Sequence, residues 1–500
     1  MNIDKLSLEE KIGQMLCFAF HGTSINEDLR TIISEKKLGN VVLFARNIES
    51  INQVKKLNED LQSLSKIPLF ISLDQEGGMV RRVIEDITYL PGAMSMAASS
   101  TDKIYELNYS LARNLKSLGF NVNYAPVADI NNNPNNPVIN SRSFGDNPNN
   151  VASCLIKAFT ASQEALVLPT VKHFPGHGDT AVDSHLGLPI VDKSLEEITS
   201  LELVPYIKAI ENGLEGVMIS HILYNQIDRE YPSSLSYNII TRLLKEKLGF
   251  KGLITTDSLT MAAIWSKFSI EEIVLNGVNA GNDILVFCGG AETEVQLKII
   301  ETFKKLVLDG KIKIERVNES VEKILKLKEK YAKINNDDII INIDSFQTLK
   351  NSITKVKDNN LLPIKKDEKV LVIFPKINLA SLVDNENNKY ESLSKYLNSE
   401  EIIVDENFDD YKILVQKALV YDKIIMATYN VKKNDFQSKI FDLLDKTKTI
   451  VVALRSPYDI LNLNGVLSYL CTYEATKESI KALSQKLLEN NFSGKLPINL

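Results

Sequence analysis

Pro68–Gly78 reads PLFISLDQEGG, a short apolar-rich run that ends in two carboxylates, a glutamine and two glycines. Pro68–Leu73 is too short for a helix and is read as a buried strand. Just before it, Ile51–Leu64 (INQVKKLNEDLQSL) places Ile51, Val54, Leu57, Leu61 and Leu64 on one helical stripe. The same order of helix, strand and charged strand end recurs on both sides. Further strand candidates are Gln14–Phe20, Asn40–Phe44, Asn121–Ala128, Thr170–Phe174, Gly216–Ile222, Gly252–Thr256 and Asp283–Phe287. Ser194–Glu211 and Tyr237–Leu248 have helical period between them, and Glu292–Lys328 is a longer helical region that Asp309-Gly310 divides.

Eight strands alternating with helices over roughly 330 residues match the count of a (β/α)8 TIM-type barrel with insertions. A doubly wound sheet would be favoured by a strand followed by GxGxxG, and that pattern does not occur. GHGDT at Gly176–Thr180 lacks the Lys-Ser/Thr of a phosphate loop. After the barrel, Asn335–Lys366 mixes Asn, Asp and Lys with short apolar pieces and reads as a connector with some structure of its own. A second α/β rhythm follows, with strand candidates at Lys369–Phe374, Glu401–Val404, Lys423–Ala427, Thr449–Leu454 and Gly465–Leu470. Its helix candidates are Leu379–Leu397, Asp435–Leu444 and Lys477–Leu488. The expected division is a barrel over residues 1–334, a linker over 335–367 and a smaller α/β sandwich domain over 368–500.

The chain has 500 residues, 44% of them hydrophobic, so it can bury a sizeable core and wholesale disorder is excluded. Lys and Arg total 58 against 64 Asp and Glu, a net charge of −6, which argues against a nucleic-acid binder with a basic face. Cys17, Cys154, Cys288 and Cys471 stand far apart, as neither a disulfide framework nor a CxxC metal site. The opening MNIDKLSLEEKIGQML lacks the features of a secretory signal. No stretch approaches the ~20 apolar residues of a membrane helix. The expectation is a soluble protein of the reducing cytoplasm, without a membrane or nucleic-acid partner. Oligomeric state is not readable.

In such a barrel, chemistry sits where strands end. Strand three ends in Asp74-Gln75-Glu76-Gly77-Gly78. Strand four ends in Asp129, followed by the Asn-rich loop Asn131–Asn140 and then Arg142-Ser143-Phe144-Gly145. Strand five leads into Lys172-His173-Phe174-Pro175-Gly176-His177-Gly178-Asp179, strand six into Ser220-His221, and strand seven into Asp257-Ser258. Ionisable groups of both signs at five consecutive strand ends suit a polyhydroxyl ligand better than a core. Three chemistries could use them. A metal site on His173, His177, Asp179, His185 and Asp257 is disfavoured because Pro175-Gly176 keeps the first pair off a helix face. A Ser220 or Ser258 nucleophile lacks a GxSxG elbow. Glycoside cleavage needs a carboxylate at the anomeric carbon, a proton donor opposite, and charged groups gripping the hydroxyls, and Asp257 suits the first role.

KHFPGHGDTAVDSHLGLP at Lys172–Pro189 resembles the signature of glycoside hydrolase family 3, in its β-N-acetylglucosaminidase branch. DQEGG at Asp74–Gly78, NYAPVADI at Asn123–Ile130, Arg142-Ser143-Phe144 and TTDSLTM at Thr255–Met261 match in order, and NNLLPI and SGKLPINL extend the resemblance to the C-terminus. The resemblance implies a retaining exo-β-N-acetylglucosaminidase with Asp257 as nucleophile. It implies that Asp183 and His185 form the acid/base dyad, and that Asp74, Arg82, Arg142, Lys172 and His173 bind the sugar. Met79 stands where DQEGG is commonly followed by Arg, with Arg81 and Arg82 both nearby. His177 and Asp179 are read as shaping their loop, His221 is undecided, and Trp265 either borders the aglycone or packs. Gly176 and Gly178 suggest a mobile loop that closes over the sugar. No metal or organic cofactor is implied. The partner is a small carbohydrate, with imported cell-wall muropeptides or chitooligosaccharides as expected substrates. Alternatives are a phosphorylase or β-glucosidase of the same family, and a catalytically silent sugar-binding barrel; the β-glucosidase branch takes its carboxylate donor from outside the strand-five loop, often from the second domain, where acids such as Glu474 occur but no motif singles one out.

Overall fold

In the first part of the chain, most strands are short and buried on both faces, the pattern expected of parallel strands covered by helices. They are β1 (Leu16–Ala19), β2 (Asn40–Val42), β3 (Phe70–Leu73), β4 (Val122–Asn123), β5 (Leu168–Pro169), β6 (Val171–Phe174), β7 (Ile190–Val191), β8 (Gly216–Ile219), β9 (Leu223–Tyr224), β10 (Leu253–Thr256) and β11 (Leu285–Phe287). The computed structural model describes residues 2–180, 183, 187–289, 292–333, 342–377, 384, 391–397 and 399–500. One parallel sheet runs β11-β1-β2-β3-β4-β5 and a second runs β10-β8-β6. Isolated parallel bridges, Val127 with Lys172 and Thr255 with Ile284, connect the two sheets at both edges. The arrangement is barrel-like, but its ladder is interrupted between the sheets.

All eight expected strands occur, each of them trimmed. Strand four shrinks most, from Asn121–Ala128 to Val122–Asn123. Pro126 has no N–H for a ladder, and the Asn123 side chain takes over instead, accepting from Gln75 N at 3.0 Å and donating to Gln75 O at 3.1 Å. Ile51–Ser63 is a helix capped by Ser50, with Val54, Leu57 and Leu61 buried. The long helical region divides at Gly310 (φ +72°) into Thr293–Leu308 and Ile314–Tyr331. Ser194–Glu211 also divides, into Leu195–Ser200 and Val204–Glu211, where Pro205 at the second helix's first turn lacks the N–H needed to continue the first. Asn238–Lys247 forms a π-helix. The Asn-rich loop is ordered by its own amides. Asn136 donates to His177 O and Gly178 O and accepts from Val138 N and Ile139 N.

The remainder of the described chain builds one sheet from β12 (Thr354–Lys357), β13 (Val370–Pro375), β14 (Glu400–Val404), β15 (Lys423–Thr428), β16 (Thr449–Ala453) and β17 (Ser468–Cys471), in the order β12-β17-β16-β15-β13-β14. All its pairs are parallel except β12 with β17. β12 and the helix Phe346–Ser352 both lie within the stretch expected to connect the domains. Period-two alternation divides the core of this sheet. Leu371 and Ile373 pack with Leu414, Ile440 and Phe441 on one face, and Val372 and Phe374 pack with Leu349, Ile480 and Leu483 on the other. Most of the expected helix Leu379–Leu397 lies outside the described residues; Ser394–Leu397 is helical.

The second unit docks on the barrel loops that follow β3 and β4. Met94 and Ala98, on the barrel helix Ala93–Ser99, belong to the core of its sheet. The Tyr458 hydroxyl donates to Asn131 O at 3.1 Å, and Asn140 donates to Ser456 Oγ at 3.0 Å. Gly145 lies so close to Pro497 that a Cβ would sit 2.3 Å from its carbonyl oxygen.

Candidate active site

The charged strand ends converge into two networks. In the first, Arg82, Asp74, Lys172, Glu76 and Arg142 alternate in sign. Arg82 Nη2 lies 3.5 Å from Asp74 Oδ2, and Lys172 Nζ lies 2.8 Å from Asp74 Oδ1 and 2.7 Å from Glu76 Oε1. Arg142 closes the row with a forked contact, Nε to Glu76 Oε2 at 2.8 Å and Nη2 to Glu76 Oε1 at 2.7 Å. Burial pushes the Glu76 carboxyl up, but the charges of Arg142 and Lys172 outweigh it and hold it well below the usual carboxylate range. Burial acts downward on Arg142 and Lys172, and their carboxylate partners more than reverse it, so both cations are held charged. Asp74 is the most open member, its side chain 16% exposed against 2–7% for the others. It therefore has acceptor capacity open to solvent.

The second network centres on Asp129. Its Oδ1 accepts from His173 N at 3.2 Å and His177 N at 2.7 Å, and its Oδ2 faces His173 Nδ1 at 2.7 Å. Burial acts upward on this carboxyl, and the histidines beside it bring it below its ordinary value. A carboxylate only accepts, so His173 carries its proton on Nδ1 and turns Nε2 away from Asp129. His177 is held differently. Its Nδ1 meets Thr180 Oγ1 at 2.8 Å, and burial, aided by the neighbouring His173, lowers its pKa to about 4. A neutral, enclosed imidazole is a loop-shaping residue, as its position beside Asn136 also indicates.

Asp257 follows β10 and is half-buried. Its N–H donates to Ile219 O at 2.9 Å, and its Oδ1 accepts from Ser258 N at 2.7 Å. His221 underpins this turn. Its Nε2 lies 2.8 Å from Ser258 O, a carbonyl that can only accept, so that nitrogen carries the proton, and Nδ1 faces Ser234 Oγ at 2.8 Å. Burial raises the Cys288 thiol pKa to about 12, with Asp257 and Asp74 both adding to the rise.

Of the residues singled out by sequence, Asp74, Arg82, Arg142, Lys172 and His173 come together with Asp257 on one face. Arg82, rather than Arg81, reaches Asp74; Arg81 lies over the Tyr89 ring, 4.6 Å from its centroid. Asp183 is half-buried, and its carbonyl accepts from Gly187 N at 3.1 Å. His185 lies outside the described residues. Asp179 pairs with Lys193 at 2.6 Å, and Lys193 also reaches Glu202 at 2.6 Å. Trp265 packs at the edge of the main core.

The two glycines beside His177 answer to their neighbours. A Cβ on Gly178 would sit 1.6 Å from Ile130 O, and one on Gly176 would meet Glu202 at 2.9 Å. Close packing accounts for glycine at both positions, and Gly176 also has a φ of +156°. Glu76 and Asp129 are the residues whose roles the sequence reading missed. Both are acids at strand ends in the sequence, and Glu76 lies two residues from Asp74. Glu474 is not placed as a proton donor. Its Oε2 accepts from Gly92 N at 2.6 Å and Ser95 Oγ at 3.0 Å, and its Oε1 accepts from the Tyr89 hydroxyl. Burial raises its pKa.

Charged groups of both signs at the strand ends of a barrel-like α/β domain, with one carboxylate left accessible beside them, define a glycoside hydrolase type of site. Residues 7–327 match the model of the Glycosyl hydrolase family 3 N terminal domain, and the chain belongs to that family. A glycoside hydrolase family 3 β-N-acetylglucosaminidase from Paenibacillus sp. superposes with a TM-score of 0.92 at 32% identity, covering 99% of each chain. Beta-hexosaminidase A of Pseudoalteromonas piscicida is 35% identical over 339 residues, which is 61% of this chain and 56% of that protein. The chain thus spans little more than half the length of that curated relative. A β-glucoside phosphorylase superposes with a TM-score of 0.84 at 23% identity, a likeness of fold alone.

Proposed function

We propose that this protein is a retaining exo-β-N-acetylglucosaminidase acting on terminal N-acetylglucosamine of muropeptides or chitooligosaccharides, in the cytoplasm. The observation that carries the reading is the position of Asp257 at a strand end, on the same face as the Arg82–Asp74–Lys172–Glu76–Arg142 row. The similarity to the Paenibacillus β-N-acetylglucosaminidase over 99% of both chains supports it. As part of the proposal, the eight strands of residues 1–334 form a (β/α)8 barrel that carries catalysis, with residues 335–367 as linker and residues 368–500 as a second domain.

In this mechanism Asp74 accepts hydrogen bonds from ring hydroxyls, while Arg82, Arg142, Lys172 and His173 hold the sugar's other polar edges. A hydroxyl missing from the substrate leaves such buried groups unpaired, which makes the grip selective. Asp257 attacks the anomeric carbon as the bond to the leaving oxygen breaks, and His185 gives that oxygen its proton. The covalent glycosyl-enzyme is then attacked by water, from which His185 takes the proton, so configuration is retained. Asp183 orients the imidazole and favours its charged form. Glu474 is disfavoured as the carboxylate donor of a β-glucosidase because it is engaged by Gly92, Ser95 and Tyr89.

The test is hydrolysis of nitrophenyl N-acetylglucosaminide against nitrophenyl glucoside, with and without inorganic phosphate. The wild type should prefer the first and release free sugar; sugar 1-phosphate would indicate the phosphorylase. Asp257→Ala should lower kcat by about 10³-fold or more, and His185→Ala by about 10²–10⁴-fold on an unactivated substrate. Full activity of His185→Ala would remove the dyad, and absence of turnover by the wild type would leave the sugar-binding barrel.

A further inference from the structure

Arg455 stands just past the end of β16 and is only 1% exposed, among the largest fully buried side chains of the protein. A guanidinium cannot shed its charge at any pH the fold survives. Its Nη1 donates to Asn430 Oδ1 at 3.3 Å, while Nε and Nη2 have no acceptor among the described residues. Three carboxylates near it are committed elsewhere. Glu76 is held by Arg142 and Lys172, and Glu474 by Gly92, Ser95 and Tyr89. Asp459, one turn further on, accepts from Thr428 Oγ1 at 2.7 Å and Val431 N at 2.9 Å; burial raises its pKa to about 7, against a downward pull from Arg455.

Arg455 borders a cavity of about 20 Å³ at the joint between the two units, walled on its polar side by Glu76, Ser141, Arg142, Tyr473 and Glu474. That is room for one water-sized occupant. Two unfilled donors on a permanent cation call for a group that accepts and carries negative charge. A water would satisfy the donors but leave the charge uncompensated. Glu76 and Glu474 on the same wall disfavour a multiply charged anion such as phosphate. We propose that this cavity binds a small monovalent inorganic anion of the size of chloride, held by Arg455, which completes the packing of the second unit on the site loops. The proposal rests on no assumption about which sugar is cleaved.

The experiment is thermal melting of the full chain at constant ionic strength in sodium chloride, sodium bromide, sodium gluconate or sodium phosphate. Chloride and bromide should raise the melting temperature of the wild type by about 2 °C over gluconate, with saturation, and phosphate should not. Arg455→Met should melt alike in all four salts. Asn430→Asp puts a carboxylate at the Nη1 contact and should likewise lose the chloride response; it carries the test if Arg455→Met fails to fold. Equal melting of the wild type in chloride and gluconate would overturn the site. So would a chloride response that persists in Asn430→Asp or Arg455→Met, or an equal response to phosphate.

Discussion

The barrel-like region and the second unit use the same local geometry for different ends. Both are mainly parallel sheets whose loops leave the C-terminal ends of the strands, and both place ionisable side chains there. In the barrel these groups alternate in sign, and Asp74 and Asp257 remain partly open. In the second unit Arg455 after β16 and Glu474 after β17 are buried against barrel loops, each 1% exposed. An open strand end can work on a ligand, whereas a covered one becomes a joint. The joint is placed where it matters, because Glu474 holds Gly92 and Ser95 just beyond the loop that carries Asp74, Glu76 and Arg82.

Substitutions can break this contrast. Among the buried ion pairs and hydrogen-bonded groups, Lys172→Met should have the largest effect, because it leaves Asp74 and Glu76 short of a shared cation in a buried setting. Loss of a buried partner costs about 3–5 kcal/mol, and kcat/KM should fall by more than about 10²-fold even where the variant is folded. Chemical denaturation and steady-state kinetics on the same preparation separate the two. A variant that loses stability but keeps kcat/KM would move this row from the site to the scaffold.

The next effect is a pH dependence that belongs to His177. Its pKa is lowered to about 4 in the fold, against 6.5 as a free side chain. The folded state therefore binds fewer protons than the unfolded state between those values. The contribution is complete above pH 6.5 and is lost as pH falls toward 4, by about 3 kcal/mol in order of magnitude. Denaturation across this window should show the slope in the wild type and a flatter one in His177→Asn. An unchanged slope in the variant would assign the titration to another group.

The smallest effect is expected at the joint. Glu474→Ala leaves Gly92 N–H, the Ser95 hydroxyl and the Tyr89 hydroxyl without their acceptor and should cost about 1–3 kcal/mol, while Glu474→Gln restores much of it. Both should retain most of the activity of the wild type at low temperature. A collapse of kcat in Glu474→Gln with stability intact would mean that the second unit takes part in chemistry rather than in holding the loops.

Much of the fold is legible because burial on both faces leaves a continuous apolar run, as in Leu69–Ile71 or Ile450–Leu454. Strand four was the exception: Pro126 and the Asn123 side chain replace ladder bonds in a way that hydrophobicity does not record. Among the site residues, Asp74, Lys172 and Asp257 were legible as charged groups at strand ends. Glu76 and Asp129 were visible too, but not as partners, since each acquires its role only from cations or imidazoles brought from other strands. The glycines around His177 are accounted for by contact with Ile130 and Glu202, which the sequence does not show.

The order of strands and helices, the absence of nucleotide-loop patterns and the family signature were determined by the amino-acid sequence alone, because period and local spacing are properties of neighbours along the chain. Tertiary structure decided what each charged group faces. It selected Arg82 over Arg81, turned Glu474 from a possible acid into a joint, and left Arg455 beside a cavity. These choices rest on contacts between residues far apart along the chain, and the strength of a charge pair depends on the distance and burial that only folding sets.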